Sequence, residues 1–332
     1  FRRNNNMLCL VTGGTGLVGN NVIRCLLENG HQVRALVRHA SDARPLAGLE
    51  VETTIGDIRD ANSVRTAVGN VDVVINAAAD LHIGWTRIEQ ARRINVAGTQ
   101  NLLDAAVEQN ARFIHVSSVD ALAAAASEDQ PVDEQTPIQP KVPCTYVLTK
   151  REAEERVTAA IESGLDAVIV NPGFMLGPWD WKPSSGRMLI SVATSFTPIA
   201  PRGGMSGCDV RDVAAAIVAI ATGSPQHRRY ILAGENMRYY DAWRLFAQVT
   251  GGKPPFRRMR PEMAKLIGTI GDLWTKISGR ETDINSAMLT MSRLFNYYDS
   301  NRAFSEFGYQ SRPFESTVRD AWKWLQEHHQ IG

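Results

Sequence analysis

The stretch Met7-Leu-Cys-Leu-Val-Thr-Gly-Gly-Thr-Gly-Leu-Val-Gly-Asn-Asn-Val-Ile-Arg-Cys-Leu-Leu-Glu-Asn-Gly30 decides the fold of this chain. Met7–Val11 is apolar and bounded by glycine, which reads as a buried strand. From Gly16 to Asn29 the apolar residues Val18, Val22, Ile23, Leu26 and Leu27 recur at helical spacing, and Gly30 is a suitable stop. A strand, a glycine turn and a helix in that order form a site where backbone N–H groups meet a phosphate. Gly13 permits the tight turn, Gly16 lets the backbone approach a pyrophosphate, and Gly19 lets the helix lie close to the sheet. The N–H groups of Leu17 and Val18 then face the phosphates, with Thr15 in the turn beside them.

Outward from that turn the pattern repeats. Val33–Val37, Val71–Ala77, Ala111–Val116 and Ala167–Val170 read as buried strands, separated by helical stretches near Ile88–Asn110 and Tyr146–Ser163. Short strands alternating with helices predict a doubly wound parallel α/β sheet of the Rossmann kind, with right-handed crossovers. After Pro172 the texture changes to Pro, Gly, Ser and Trp, and residues 172–209 read as a long loop region. Val210–Ala221 and Tyr230–Ala233 look like one more helix-strand pair. Asp241–Thr250, Pro261–Ser278, Asp283–Phe295, Ser300–Phe307 and Phe314–His328 look helical. We therefore expect a dinucleotide-binding domain over 7–170 and a smaller, mostly helical substrate lobe over 171–330, with 210–233 returning to the first.

Composition narrows the functions. With 36 Lys+Arg against 35 Asp+Glu, the net charge of +1 gives no reason to expect nucleic acid as a partner. Cys9, Cys25, Cys144 and Cys208 are widely spaced, which predicts neither a disulfide framework nor a metal site and favours a reducing compartment. No apolar run has the length of a membrane-spanning helix. The basic stretch Phe1–Asn6 reads as a tail ahead of the first strand, and the expected location is the cytoplasm.

Which dinucleotide binds depends on the end of the second strand, where an acid suits the ribose of NAD and an arginine suits the 2′-phosphate of NADP. The sequence there is Val33-Arg-Ala-Leu-Val-Arg38, then His39, with no acid before Asp42. Arg38 favours NADP(H), with NAD(H) left open. Asp57, in Gly56-Asp57-Ile58 after a third short strand, is placed to reach the adenine amino group, with Ile58 beside it.

Tyr146 and Lys150 stand at i and i+4, on one helical face, where an ammonium favours the ionised phenol. Ser117 and Ser118 follow the strand ending at Val116, and the carboxyl ends of parallel strands form the reactive edge. The pieces TGGTGLVG (12–19), Gly56-Asp57-Ile58, Asn76-Ala-Ala-Ala79, Asn95-Val-Ala-Gly-Thr99, Val116-Ser-Ser118, Tyr146–Lys150 and Asn171-Pro-Gly-Phe-Met-Leu-Gly-Pro178 occur in order. In this the chain resembles the extended short-chain dehydrogenases/reductases over essentially its whole length. The resemblance implies Tyr146 as acid/base and Lys150 as its tuner and a ligand of the nicotinamide ribose. It implies Ser118, by its offset from Phe113, as the group that polarises the reacting oxygen, and Asn95 as support. Ala77, Ala78 and Ala79 would line the cofactor's path, and Pro172, Gly173 and Phe174 would pass the nicotinamide amide.

Within that superfamily, sugar-nucleotide epimerases and dehydratases carry R-x-x-N-x-x-G after the sixth strand. This chain has Asn171 and Phe174 in place of the Arg and Asn, and Leu122-Ala123 where a Tyr-Gly pair is usual. It looks more like the dihydroflavonol-reductase and 3β-hydroxysteroid-dehydrogenase branch. The leading expectation is an NADPH-dependent ketone reductase acting on a hydrophobic small molecule. The alternatives are an epimerase or dehydratase holding NAD tightly, and a non-catalytic dinucleotide sensor. Ser118, Met175, Trp179, Trp181 and Met188, with Phe196, are expected to line the substrate pocket. Arg211, in Cys208-Asp-Val-Arg-Asp-Val213, reads either as a contact to a polar substrate end or as a structural ion-pair partner. Cys144 reads as a pocket modulator or a buried thiol. Met263, Leu266, Ile267, Ile270, Trp274 and Ile277 stripe one helix after Arg257, Arg258 and Arg260. The main expectation for it is a lid packed on the pocket, and peripheral membrane contact is the second. A homodimer through two helices, common in the resembled family, is left open.

Overall fold

The computed structural model describes residues 6–39, 42–139 and 141–329, so most of the N-terminal basic tail lies outside it. The chain runs β1 (Leu8–Thr12), α1 (Leu17–Glu28), β2 (Gln32–Val37), β3 (Glu52–Ile55), α2 (Ala61–Val68), β4 (Val73–Asn76), α3 (Ile88–Ala91), α4 (Gly98–Gln109), β5 (Arg112–Val116), α5 (Thr145–Glu162) and β6 (Ala167–Pro172). It continues through β7 (Phe174–Leu176), α6 (Gly186–Thr194), β8 (Ile199–Ala200), β9 (Gly204–Asp209), α7 (Val210–Thr222), β10 (Arg229–Leu232), β11 (Glu235–Arg238), α8 (Tyr239–Thr250) and β12 (Arg257–Arg258). Last come α9 (Pro261–Ser278), α10 (Ser286–Met291), α11 (Asn301–Phe307) and α12 (Phe314–His328).

Seven parallel strands form the main sheet in the order β10-β6-β5-β4-β1-β2-β3. Both faces are covered. Alternate strand residues such as Val11, Ile75, Ile114 and Val170 face α1 and α7 on one side. Leu10, Val74, Phe113 and Ile169 face α2, α4 and α5 on the other. Burial on both faces is the reason these strands read as continuous apolar runs rather than alternating ones. The strand order reverses between β1 and β4, and the crevice at their carboxyl ends is where this architecture takes a ligand.

Two expectations are corrected. Residues 172–209 are not a long loop: they contain β7, α6, β8 and β9. Within the C-terminal lobe β9 pairs with both β7 and β11 in a three-stranded sheet. The helix expected over Asp283–Phe295 is the short α10, capped by Asn285, whose side chain accepts from the Met288 N–H. Between α3 and α4 the helix widens into a π-helical stretch, Arg92–Ala97. No helix among the described residues is long and apolar enough to cross a membrane.

Candidate active site

At the switch point the turn after β1 comes against the chain leaving β4. Gly13 has φ +70°, and a Cβ built there would sit 2.7 Å from the Ala77 carbonyl carbon and oxygen. A Cβ on Gly19 would strike the Gly13 carbonyl oxygen, so the helix start and the turn touch backbone to backbone. Thr12 ties the two strands together: its hydroxyl donates to Asn76 Oδ1 (2.7 Å) and accepts from the Ala78 N–H (3.2 Å). Gly16 caps α1 with no side chain, the first turn carries no acid, and no backbone acceptor takes the N–H groups of Leu17 and Val18 among the described residues. A donor-rich helix start with no Cβ in the way fits a dinucleotide pyrophosphate. Gly173, after β6, is also hemmed in: a Cβ there would lie 2.6 Å from the Ser206 carbonyl oxygen.

At the carboxyl ends of β5 and β6 the expected reacting groups converge. Ser118 leaves β5 in extended conformation, caps a 3₁₀ turn over Val119–Ala121 and accepts from the Asp120 N–H at 3.1 Å. Its hydroxyl lies beside the phenol of Tyr146, in the first turn of α5, near enough to act on the phenol's proton. Ser117 is different: its hydroxyl is buried with no partner. The structure thus brings Ser118, not Ser117, to the tyrosine. Burial pushes the Tyr146 phenol up from its ordinary pKa and the Asp120 carboxylate pushes the same way, against the nearby Ser118 hydroxyl. The phenol therefore keeps its proton at neutral pH. Lys150, one turn along α5, is buried, donates to the Val116 carbonyl at 3.0 Å and stands 6.0 Å from the Tyr146 ring centre. Burial lowers its pKa to about 8, with Glu154 opposing the shift.

Behind these groups lies a buried polar scaffold that the sequence reading did not include, apart from Asn95. Asn95 sits in the π-helical stretch, an irregularity that aims a side chain out of the regular ladder. It donates to the Asp80 carbonyl (3.0 Å) and Thr149 Oγ1 (2.9 Å) and accepts from the Asp80 N–H (2.7 Å), which fixes the chain after Ala79 to α5. Asn171 donates to the Ser118 carbonyl (2.9 Å) and to Glu154 (2.7 Å), and Arg229 donates to both Glu154 and Asn171. Glu154 follows Lys150 by four residues, and that spacing is the signal by which it was findable.

His115, on β5 beneath Lys150, is fully buried, its Nε2 unpartnered. Burial, then the charges of Lys150 and Arg229, push its pKa well below 6.5. The folded ring stays neutral where the unfolded one takes a proton. Stability is thus lost as pH falls below about 6.5, at up to about 1.4 kcal/mol per pH unit. Thermal melts from pH 7 to pH 5 should fall less steeply for His115→Asn than for the parent, and equal slopes would remove His115 from the account.

At the end of β2, Arg38 is exposed and has no hydrogen-bond or ion-pair partner among the described residues. Its charge reaches Asp57, whose carboxyl is held below the ordinary range chiefly by Arg59. Arg59 donates to both Asp57 oxygens, at 2.9 and 2.7 Å. Arg211 bridges Asp209 (2.7 Å) and Asp320 (2.6 Å), pinning α7 to α12, which is the structural ion-pair reading. Cys144 is a buried thiol at the α5 N-cap, pushed up in pKa by burial.

The expected pocket roof is placed elsewhere. Trp179 and Trp181 pack against Trp324 and His328 of α12, with the Arg24 guanidinium 3.3 Å from the Trp179 ring centre. Met188 joins that cluster, Met175 packs on the sheet core, and Phe196 is exposed. These are packing contacts of large apolar groups that a composition-based reading cannot tell from pocket walls. A cavity of about 400 Å³ next to the start of α5 is lined by Trp85, Ala124, Lys141, Val142, Pro143, Thr290 and Leu294, and Ser118, Tyr146 and Lys150 are not in its wall. Val142 and Leu294 pack in the same cluster as Tyr146.

A family model described as NAD dependent epimerase/dehydratase family matches residues 9–233. A Synechocystis sp. protein with a provisional dihydroflavonol 4-reductase name is 32% identical over 326 residues, covering 96% of this chain and 94% of that one. Sterol demethylase protein B of Methylococcus capsulatus is 30% identical over 330 residues, 98% of this chain and 100% of that one. The crystal structure of gox2253 is similar with a TM-score of 0.86 at 33% identity, covering 99% of this chain and 100% of that one.

Proposed function

The chain belongs to the NAD-dependent epimerase/dehydratase family, among the extended short-chain dehydrogenases/reductases, and from that membership we propose that it is an NADPH-dependent ketone reductase (reversibly, an alcohol dehydrogenase) for a hydrophobic small molecule. As an enzyme of that family it is an oxidoreductase; the cofactor preference, the acid/base and the substrate are our reading. The observation that carries it is the placement of the Ser118 hydroxyl beside the Tyr146 phenol, backed by the Lys150 ammonium, at the strand ends beside the uncapped glycine turn.

The bound dinucleotide supplies the hydride. The N–H groups of Leu17 and Val18 would hold its pyrophosphate, and Arg38 would take its 2′-phosphate. The Ser118 hydroxyl points a hydrogen bond at the substrate carbonyl oxygen. Tyr146, still protonated because it is buried, would give that oxygen its proton. The Lys150 charge stabilises the phenolate left behind. The cavity next to the start of α5 is walled mainly by apolar side chains, and its volume suits a drug-sized apolar ligand. Phe174 stands where the sugar-nucleotide enzymes carry the asparagine of R-x-x-N-x-x-G, and its ring has no donor for a substrate phosphate.

Fluorescence titration with NADPH and NADH tests the cofactor reading. NADPH should bind more tightly, and Arg38→Gln should cost about 10–100-fold in NADPH affinity while changing NADH affinity by less than about twofold. Tighter binding of NADH by the parent would overturn the Arg38 assignment and favour the NAD-holding epimerase. A screen of ketones and alcohols with NADP(H), followed at the nicotinamide absorbance, tests the reaction itself.

A further inference from the structure

Helix α9 is turned inside out relative to an ordinary surface helix. Its small residues Ala264 and Gly268 face the protein, and a Cβ on Gly268 would lie 2.8 Å from the Ser286 Cα, so glycine lets α9 and α10 meet closely. Its large residues face solvent. Leu266, Ile270, Leu273, Trp274 and Ile277, spaced for one helical face, are between 56% and 73% exposed. Ile284, Leu81 and Trp85 continue the exposed apolar surface. Eight of the fourteen exposed large apolar side chains among the described residues thus lie in two segments, 266–284 and 81–85.

These segments are physically joined. The Glu281 carboxylate accepts from the Trp85 N–H (2.8 Å), pairs with His82 (2.6 Å) and takes the Thr86 hydroxyl, while the Trp85 indole donates to Ser286 (2.8 Å). Trp85 in turn lines the cavity next to the start of α5. The apolar surface therefore reaches the wall of that cavity at Trp85.

The charges around this face are one-sided. Residues 253–284 carry seven basic and four acidic side chains, a net +3 in a chain of net +1. Of the four acids, Asp272, Glu281 and Asp283 are engaged by the Ser286 N–H, by His82 and by Arg187, and Glu262 is exposed with no ion pair among the described residues. Arg257, Arg258, Arg260, Lys265, Lys276 and Arg280 are exposed and form no ion pair among the described residues. An apolar stripe bordered by unneutralised cations fits headgroups of negative charge over an apolar interior. A second copy is a poor fit, because a two-fold contact would set these cations against each other.

We propose that the outward face of α9 docks this chain onto an anionic membrane surface, with the cavity wall at Trp85 facing the lipid. Sedimentation with phosphatidylcholine vesicles, with and without phosphatidylglycerol, reads the docking directly and does not depend on the reaction assigned above. The protein should sediment with the anionic vesicles, less so as salt rises. The variant Ile270→Gln/Trp274→Gln, altered only at exposed positions, should keep the parent's circular dichroism and bind at least about tenfold more weakly. Arg257→Gln/Arg258→Gln should bind more weakly and with less salt dependence. Absence of sedimentation, or equal binding by the Ile270→Gln/Trp274→Gln variant, overturns the proposal. So does a parent dimer that this variant splits into monomers, since the face would then belong to a second copy.

Discussion

Replacing Tyr146 by phenylalanine is expected to lower turnover about 10²–10⁴-fold while leaving NADPH affinity within about twofold. The substitution removes one oxygen from a residue that is 9% exposed, and the ring keeps its place among Val142, Cys144 and Val147. What goes is the proton donor and the polar neighbour of the Ser118 hydroxyl. Ser118 keeps its other contact, to the Asp120 N–H, so the strand end stays in place. The loss should therefore fall on the chemical step and appear in kcat rather than in binding, as separated by steady-state kinetics and fluorescence titration. Equal turnover in the two proteins would move the proton transfer to another residue.

Much of this site was legible because its parts are local. A glycine turn between strand and helix, or Tyr146 and Lys150 a helical turn apart, are signals carried by a few consecutive residues. The parts that were not legible depend on distant partners. β9, Gly204-Met-Ser-Gly-Cys-Asp209, has two glycines and no β-branched residue, and it becomes a strand because β7 and β11 pair with it. Trp179 and Trp181 look like pocket walls until α12, more than a hundred residues later, packs against them. Lys141 is an unremarkable basic residue in sequence, yet it is buried in the cavity wall with the Tyr298 hydroxyl at 3.0 Å and Asp120 at 3.4 Å. The stripe on α9 was visible as an amphipathic pattern, but which side of it faces the protein was not. Glycine at 268 and 271 decides that, since the face without Cβ atoms comes closest to Ser286 and Ile284 and the bulky face is left outside.

The same scaffold makes Lys150→Met the second large effect, with a different signature. Methionine matches the length of the lysine stem, so the interior of α5 should stay filled. It cannot donate to the Val116 carbonyl, place a positive charge beside the phenol or hold a ribose hydroxyl. We expect turnover to fall about 10²-fold or more and NADPH affinity about 10-fold or more, the latter being the size of a lost charge-assisted hydrogen bond. Stability should move the other way. Burial has lowered the Lys150 pKa to about 8 in the folded chain, whereas the unfolded chain holds that proton to about 10.4. Below about pH 8 both states are protonated and the fold bears the full cost of a buried ammonium. From there to about pH 10.4 the unfolded chain binds more protons, so the parent gains stability as pH rises. The variant has no such proton and should melt no lower than the parent at neutral pH, with a flatter dependence on alkaline pH. Activity of the parent should decline above about pH 8, as the charge beside Tyr146 is lost, while the residual activity of the variant should lack that limb. If both proteins shared the same alkaline limb, the titrating group would be one other than Lys150, and its role beside the phenol would have to be given up.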